Sequence, residues 1–129
     1  MKKDITGRVD IESAIRSFYD KVLADDTIGF IFTDVAKVNW EKHLPIMYDF
    51  WENVLFFTGK YTGDPMNVHR HLNSTIELKA EHFRRWTYLF NLTIDELFEG
   101  ENAERAKQRA LSIATIMQVK LAESSAKKE

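Results

Sequence analysis

Apolar residues recur at three- and four-residue spacing along most of this chain, which is the period of an amphipathic α-helix. The first such stripe, Ile11, Ile15, Phe18 and Val22, follows Asp10, a residue favoured at helix N-caps. Alternation typical of a strand persists for only a few residues, and just two prolines and five glycines interrupt the chain. The sequence therefore predicts an all-α domain.

The same pattern, with its turn and capping signals, sets the order of the elements. Asp64-Pro65 is typical of a helix start, and Thr93 to Glu96 has the spacing of a capping box. In the first half of the chain we predict a helix after Asp10 broken at 24–27, a short turn over 28–32, a loop over 33–39 and a long helix from Trp40 to Phe57. A loop over 59–63 and a short helix after Pro65, with an exit loop from residue 70, come next. The second half is predicted to contain a longer helix from Glu77, one further turn from Thr93 that stops at Gly100, and a final helix from Asn102 to Ala122. About nine N-terminal and about six C-terminal residues are expected to fray.

Composition narrows the class of protein. The 129 residues correspond to one domain, 1–129, and a net charge of −2 with interspersed signs favours no nucleic-acid partner. The longest apolar run is far shorter than the ~20 residues that cross a bilayer, and no signal-peptide core follows the N-terminus, so we expect a cytoplasmic protein without a membrane partner. With no cysteine, disulfides, thiolate metal sites and cofactor attachment through Cys-x-x-Cys-His are excluded.

Two histidines suggest chemistry. His43 opens the long apolar helix and His69 follows Pro65, so two imidazoles on separate helices, both bordered by aromatic residues, could face each other across a flat iron cofactor. Haem needs apolar walls, one neutral imidazole as axial ligand and hydrogen-bond donors on the opposite side. His69 is the candidate axial ligand, and the candidate donors are Tyr19, His43 and Trp86. Taken singly, each residue is more often ordinary core, so these features alone indicate a helical domain that could bind a cofactor.

Five short motifs in a fixed order make the prediction more specific. They are Phe18-Tyr19 followed by Asp25-Asp26-Thr27-Ile28-Gly29-Phe30-Ile31-Phe32, then Trp40-x-x-His43, then Phe50-Trp51, then Tyr61-x-Gly63-x-Pro65-x-x-x-His69, then His82-Phe83-x-x-Trp86. This order resembles the truncated haemoglobins, particularly their third group, over roughly residues 10–120. The resemblance implies an abbreviated globin fold, in which a two-over-two helical sandwich surrounds a non-covalent haem b.

The resemblance also implies a role for each matching position. His69 matches the proximal iron ligand, and Tyr19, His43 and Trp86 match distal residues near the bound gas. His71 lies two residues after His69, about 200° around a helix, and cannot serve the same iron. The residues expected to line the ring are Phe18, Phe32, Met47, Phe50 and Phe83, with His82 near the haem edge or a propionate.

Hydrogen-bond donors on the distal side predict how the iron would bind and release diatomic gases. We expect reversible binding of O₂, CO and NO with slow release, which favours scavenging, sensing or redox detoxification over transport. Weak peroxidase activity or nitric oxide oxidation would need a separate reductase, because this chain contains no reductase domain, so whether the protein is an enzyme stays open. We expect a monomer.

Two other classes of protein fit the same residues. One is a metal-dependent helical-bundle enzyme that uses His43, His69 or His71, and His82; the chain lacks the Glu-x-x-His and His-Glu-x-x-His motifs of such enzymes. The other is a cofactor-free helical interaction module whose aromatic residues are simply core.

Overall fold

The computed structural model describes residues 2–35, 37–59 and 78–127. Helices make up most of these ranges, and no strand occurs in them. The helices are α1 (Arg8–Ala24), a π-helical turn (Ile31–Val35), α2 (Trp40–Phe56), α3 (Ala80–Leu97) and α4 (Glu101–Lys127). The predicted loop over 59–63, apart from Gly59, and the predicted short helix after Pro65 with its exit loop lie outside the described residues. The all-α prediction is confirmed.

Helix α1 begins earlier than its sequence suggests. It starts at Arg8, so Asp10 is not the N-cap but lies in the first turn. The Asp10 carboxylate accepts hydrogen bonds from the Thr6 N–H at 2.9 Å and the Thr6 hydroxyl at 3.0 Å, and it pairs with the Lys3 ammonium at 2.8 Å. The acidic residue therefore orders the segment before the helix and stabilises the first turn from within it.

The N-terminal segment, expected to fray, is attached to the far end of the chain. Ile5 is fully buried in the core, and the Asp4 carboxylate accepts the backbone N–H groups of Asn102 at 3.0 Å and Ala103 at 2.9 Å. Those N–H groups belong to the first turn of α4 and have no partner within the helix. The prediction of fraying is wrong for these residues, because a cap supplied from a distant part of the chain leaves no local sequence signal.

Helix α2 begins at Trp40 as predicted and ends at Phe56, one residue before the predicted end. Phe57, its C-cap, has a φ of 57°, the left-handed conformation common where helices end. Pro45 lies in the second turn of the helix.

Helix α3 is longer than predicted, because the extra turn expected from Thr93 is part of it. Thr93 is fully buried, and its hydroxyl donates to the carbonyl oxygen of Leu89 at 2.8 Å. A threonine satisfied in this way does not cap a new helix, so the predicted capping box is wrong. Helix α4 also continues past Ala122 to Lys127, which corrects the prediction of a frayed tail from Ser124 for those residues.

The helices pack as two pairs. Helix α1 contacts α2 and α3, and α4 contacts α3 and α2, so the α1/α2 pair lies over the α3/α4 pair. Small side chains on α4 (Ala103, Ala106 and Ala110) are fully buried and allow close packing. The core between the pairs contains Phe18, Trp51, Phe90 and Ile94. None of the described helices is long and apolar enough to cross a bilayer.

Candidate functional site

Tyr19 and His43, predicted from the sequence to share a site, meet in the structure. Tyr19 Oη and His43 Nε2 are 3.1 Å apart, and this hydrogen bond joins the middle of α1 to the first turn of α2. Either atom can donate, because the tautomer of His43 determines the direction of the bond. Tyr19 is buried, whereas His43 is half-buried. Burial raises the pKa of the Tyr19 hydroxyl well above its usual range, so the phenol stays protonated at physiological pH.

Aromatic rings surround this hydrogen bond. The Tyr19 ring lies 4.9 Å from Trp40 and 6.0 Å from Phe32, and Trp40 lies edge-on to His43 at 5.4 Å, centroid to centroid. Phe32, predicted as a lining residue, is therefore part of the site. Trp40 also belongs to the site, although the sequence analysis assigned it no role. Its three-residue spacing from His43 puts both residues on one helical face, and this spacing could have identified it.

Trp86, the third predicted donor, is separated from Tyr19 by the ring of Phe18. Its nearest aromatic neighbours are Phe18, edge-on at 5.6 Å, and Phe90, stacked at 5.8 Å. Phe18 in turn contacts Tyr19 at 5.0 Å. The structure thus brings Phe18, Tyr19 and Trp86 into one aromatic cluster, with Phe18 between the two donors.

Met47 and Phe50 lie on the same face of α2 as His43. Their spacing of four and seven residues from His43 corresponds to one and two helical turns. All three are half-buried and both apolar side chains pack against the core. This face is an apolar wall with one polar group at its start.

His82 and Phe83 lie in the first turn of α3. The Lys79 backbone N–H donates to His82 Nδ1 at 3.0 Å, and the His82 ring lies 6.4 Å from Phe30. Phe83 is buried in a second apolar cluster with Ala114 and Met117 of α4. His82 therefore orders the start of α3.

The predicted axial ligand cannot be located in this fold, because His69 and the competing His71 lie outside the described residues. In the ranges that the structure does describe, no three His, Cys, Asp or Glu side chains group as a metal site. The expected lining and donor residues in the described ranges thus form two walls, one from α1, the π-helical turn and α2 and one from α3, and the walls meet where Phe18 contacts Trp86.

A partly buried ion pair that sequence reasoning missed connects these two walls. Asp25, just after α1, accepts a hydrogen bond from Arg85 Nε at 2.6 Å and from the N–H groups of Thr27 and Ile28 at 3.0 and 3.1 Å. Arg85 precedes Trp86, so the pair attaches the end of α1 to the turn of α3 that carries the tryptophan. Sixty residues separate the two charges, and no local pattern relates them.

Two of three comparisons with known proteins found a match, and both matches are group III truncated hemoglobins. No family model matches the chain. The chain is 28% identical over 121 residues to the group 3 truncated hemoglobin ctb of Campylobacter jejuni, which covers 92% of this chain and 93% of that protein. Its fold is similar to the crystal structure of a group III truncated hemoglobin from Campylobacter jejuni, with a TM-score of 0.81, 27% identity, and coverage of 94% of this chain and 95% of that one. The predicted resemblance and the abbreviated globin fold are both confirmed.

Proposed function

We propose that this chain, which resembles the group III truncated haemoglobins in sequence and fold, binds haem b non-covalently and takes up O₂, CO and NO. The supporting observation is the Tyr19–His43 hydrogen bond of 3.1 Å inside a cage of aromatic rings. In a purely structural core, an apolar pair would fill this place without the cost of burying polar groups.

The residues present fit a haem. The half-buried face of His43, Met47 and Phe50 on α2 and the aromatic residues Phe83 and Trp86 on α3 supply apolar surfaces for a flat ring. The chain has no cysteine for a thioether link, which is why we propose a non-covalent haem b. Bound haem would supply a ferrous iron with one open coordination position for a diatomic ligand.

His69 is the proposed proximal ligand. It stands four residues after Pro65, at the spacing of the family motif, whereas His71 would point about 200° away on a helix. A neutral imidazole is required in this role, because the nitrogen that binds the metal must be free of its proton.

The distal residues act as hydrogen-bond donors toward a ligand that carries partial negative charge. The buried Tyr19 hydroxyl keeps its proton, so it can donate at any physiological pH. His43 contacts the same hydroxyl and fixes its orientation, and the indole N–H of Trp86 is a third donor in the same aromatic cluster. If two donors each contribute about 1 kcal/mol, ligand escape slows by tens of fold.

Slow escape favours a role in scavenging or in redox detoxification over oxygen transport. A carrier must release its ligand on the time scale of delivery, and a pocket with several donors opposes that. Redox turnover would require electrons from a separate reductase, which we propose as the protein partner.

The experiment that tests this proposal is the absorbance spectrum of the full chain supplied with haemin. We expect an intense Soret band in the parent and in His71→Ala, a shift of the ferrous band on adding CO, and loss of axial ligation in His69→Ala. A Soret band that survives unchanged in His69→Ala but disappears in His71→Ala would overturn the ligand assignment. A parent that stays colourless would overturn the haem proposal itself.

A further inference from the structure

A surface groove runs between α3 and α4, away from the tyrosine–histidine pair. Its volume is about 540 Å³. Its lining includes Arg84, Tyr88, Asn91, Leu92, Asp95 and Leu111, and Phe83 also contributes to it. On α3 these positions lie on a different side from Phe90 and Ile94, which point into the core. We call this feature the outer groove.

Large apolar side chains remain exposed along the outer groove. The exposed fractions are 50% for Tyr88, 38% for Leu92 and 57% for Leu111. Scattered exposed apolar residues are ordinary, but several that border one groove indicate a contact surface.

The α3 side of the outer groove carries a stripe that is complementary to itself. Arg84, Tyr88, Asn91 and Asp95 follow one another at spacings of four, three and four residues, so they lie along one face of the helix. When this stripe is laid antiparallel on a second copy, Arg84 lies opposite Asp95 and Tyr88 lies opposite Asn91. Each charged residue then meets the opposite charge. Because the Asn91 Oδ1 atom is buried, the Tyr88 phenol oxygen is placed to accept from the Asn91 amide N–H of the other copy.

We propose that the outer groove is the interface of a symmetric homodimer, in which the α3 helices of two copies cross antiparallel about a two-fold axis between Leu89 and Phe90. A two-fold axis brings the same surface of both copies together, so only a self-complementary stripe satisfies it. The ends of the stripe are about 16 Å apart at 1.5 Å per residue, and both charge pairs form at the rim of the interface. Leu92 and Leu111 supply the apolar contact between them.

Asp95 already has one partner within the chain, and this pairing is compatible with the dimer. Its Oδ1 atom lies 2.7 Å from the Lys107 ammonium, which also contacts Glu104 at 2.8 Å. A carboxylate accepts several hydrogen bonds, so its second oxygen can receive the Arg84 guanidinium of the other copy. Lys107 holds the carboxylate in place for that contact.

This dimer replaces the monomer expected from the sequence, and it does not depend on haem. The outer groove lies on the surface of the α3/α4 pair and shares Phe83 with the proposed haem walls, but the stripe from Arg84 to Asp95 that carries the dimer contacts is not part of those walls. Failure of either proposal leaves the other intact.

Sedimentation equilibrium of the full chain over a micromolar to millimolar series tests the proposal. We expect a reversible monomer–dimer equilibrium. Arg84→Glu and Asp95→Lys should each weaken dimerisation by about tenfold or more, because each places two pairs of like charges across the interface. The double variant Arg84→Glu/Asp95→Lys should recover part of the affinity, because it restores opposite charges across the interface with reversed signs, although the new lysine faces Lys107 within its own chain.

Two further variants separate the outer groove from other exposed apolar positions. Leu111→Glu should abolish the dimer, whereas Val9→Glu, at an 81% exposed position on α1, should leave it unchanged. Thermal unfolding of each dilute variant checks that the chain remains folded. A parent that stays monomeric up to millimolar concentration would overturn the proposal, as would a dimer that neither the charge variants nor Leu111→Glu affects.

Discussion

The ends of α1 and its middle are held by different forces. At the N-terminal end, Arg8 contacts Asp49 of α2 at 2.6 Å and the buried Glu52 at 3.0 Å. Just beyond the C-terminal end, Asp25 contacts Arg85 of α3 at 2.6 Å. Charged groups therefore attach both ends of this helix to its neighbours.

The middle of α1 faces its neighbours with aromatic rings and the Tyr19–His43 hydrogen bond, and Arg16 donates to the Tyr48 hydroxyl at 2.8 Å from another side of the helix. Phe18 packs against Phe90 and Trp86, and Tyr19 contacts His43. The ion pairs thus fix the helix at its ends, and the Tyr19–His43 hydrogen bond lies among aromatic rings. In such apolar surroundings a hydrogen bond to a ligand is stronger than in water.

The largest effect should come from the aromatic middle. Phe90 is buried and stacks on Trp51 at 4.7 Å and on Trp86 at 5.8 Å. We expect Phe90→Ala to lower the free energy of unfolding by about 3–5 kcal/mol, because it leaves a cavity between the two helical pairs. Urea unfolding measures this loss. Phe57→Ala, at a 79% exposed position, is the matched control and should change it by less than about 0.5 kcal/mol; equal effects would contradict the packing described.

Removing an ion pair at the end of α1 should cost less. The Asp25 side chain is almost fully buried while Arg85 is half-exposed, so Arg85 regains water when its partner is removed. We expect Asp25→Ala to cost about 2 kcal/mol, mainly from the lost hydrogen bonds to Arg85 and to two backbone N–H groups. The exposed neighbour Asp26→Ala should be nearly neutral. If both variants unfold at the same urea concentration, Asp25 does not fasten α1 to α3.

The same ion pair predicts a pH dependence. Burial raises the pKa of the Asp25 carboxyl, but hydrogen bonds from Arg85 and from the Ile28 and Thr27 N–H groups outweigh it, so the pKa lies below its ordinary value. A carboxyl with a lowered pKa stabilises the fold above its unfolded pKa of about 3.9, and this contribution disappears as the pH falls further. The stability difference between the parent and Asp25→Asn should therefore shrink below about pH 4. A difference that grows in acid would contradict this.

The smallest effect should come from the cap on α4. Asp4→Ala removes the acceptor for two N–H groups in the first turn of that helix and should cost about 1 kcal/mol. Asp20→Ala, an exposed acid on α1, provides the comparison. An Asp4→Ala variant as stable as Asp20→Ala would mean that the Asp4 carboxylate does not stabilise the start of α4.

Local patterns predicted the helices and part of the site, and long-range contacts explain the rest. The stripe around Phe18 and the start of α2 at Trp40 follow from helical spacing, and the family motifs put Tyr19 and His43 in one predicted site without predicting the hydrogen bond between them. The Asp25–Arg85 pair, the Asp4 cap and the burial of Thr93 depend on residues far apart in sequence. No periodicity encodes such contacts, so the predicted capping box and the predicted fraying were wrong.

We propose that Tyr19 and His43 act together on the ligand of a bound haem. The most direct test is the oxygen dissociation rate of the haemin-loaded, reduced protein, measured for the parent, Tyr19→Phe, His43→Leu and the double variant. We predict that Tyr19→Phe accelerates dissociation by about five- to tenfold, and that the double variant falls short of the product of the single effects, because the two groups share one hydrogen bond. A rate that stays at the parent value in both single variants would contradict the claim.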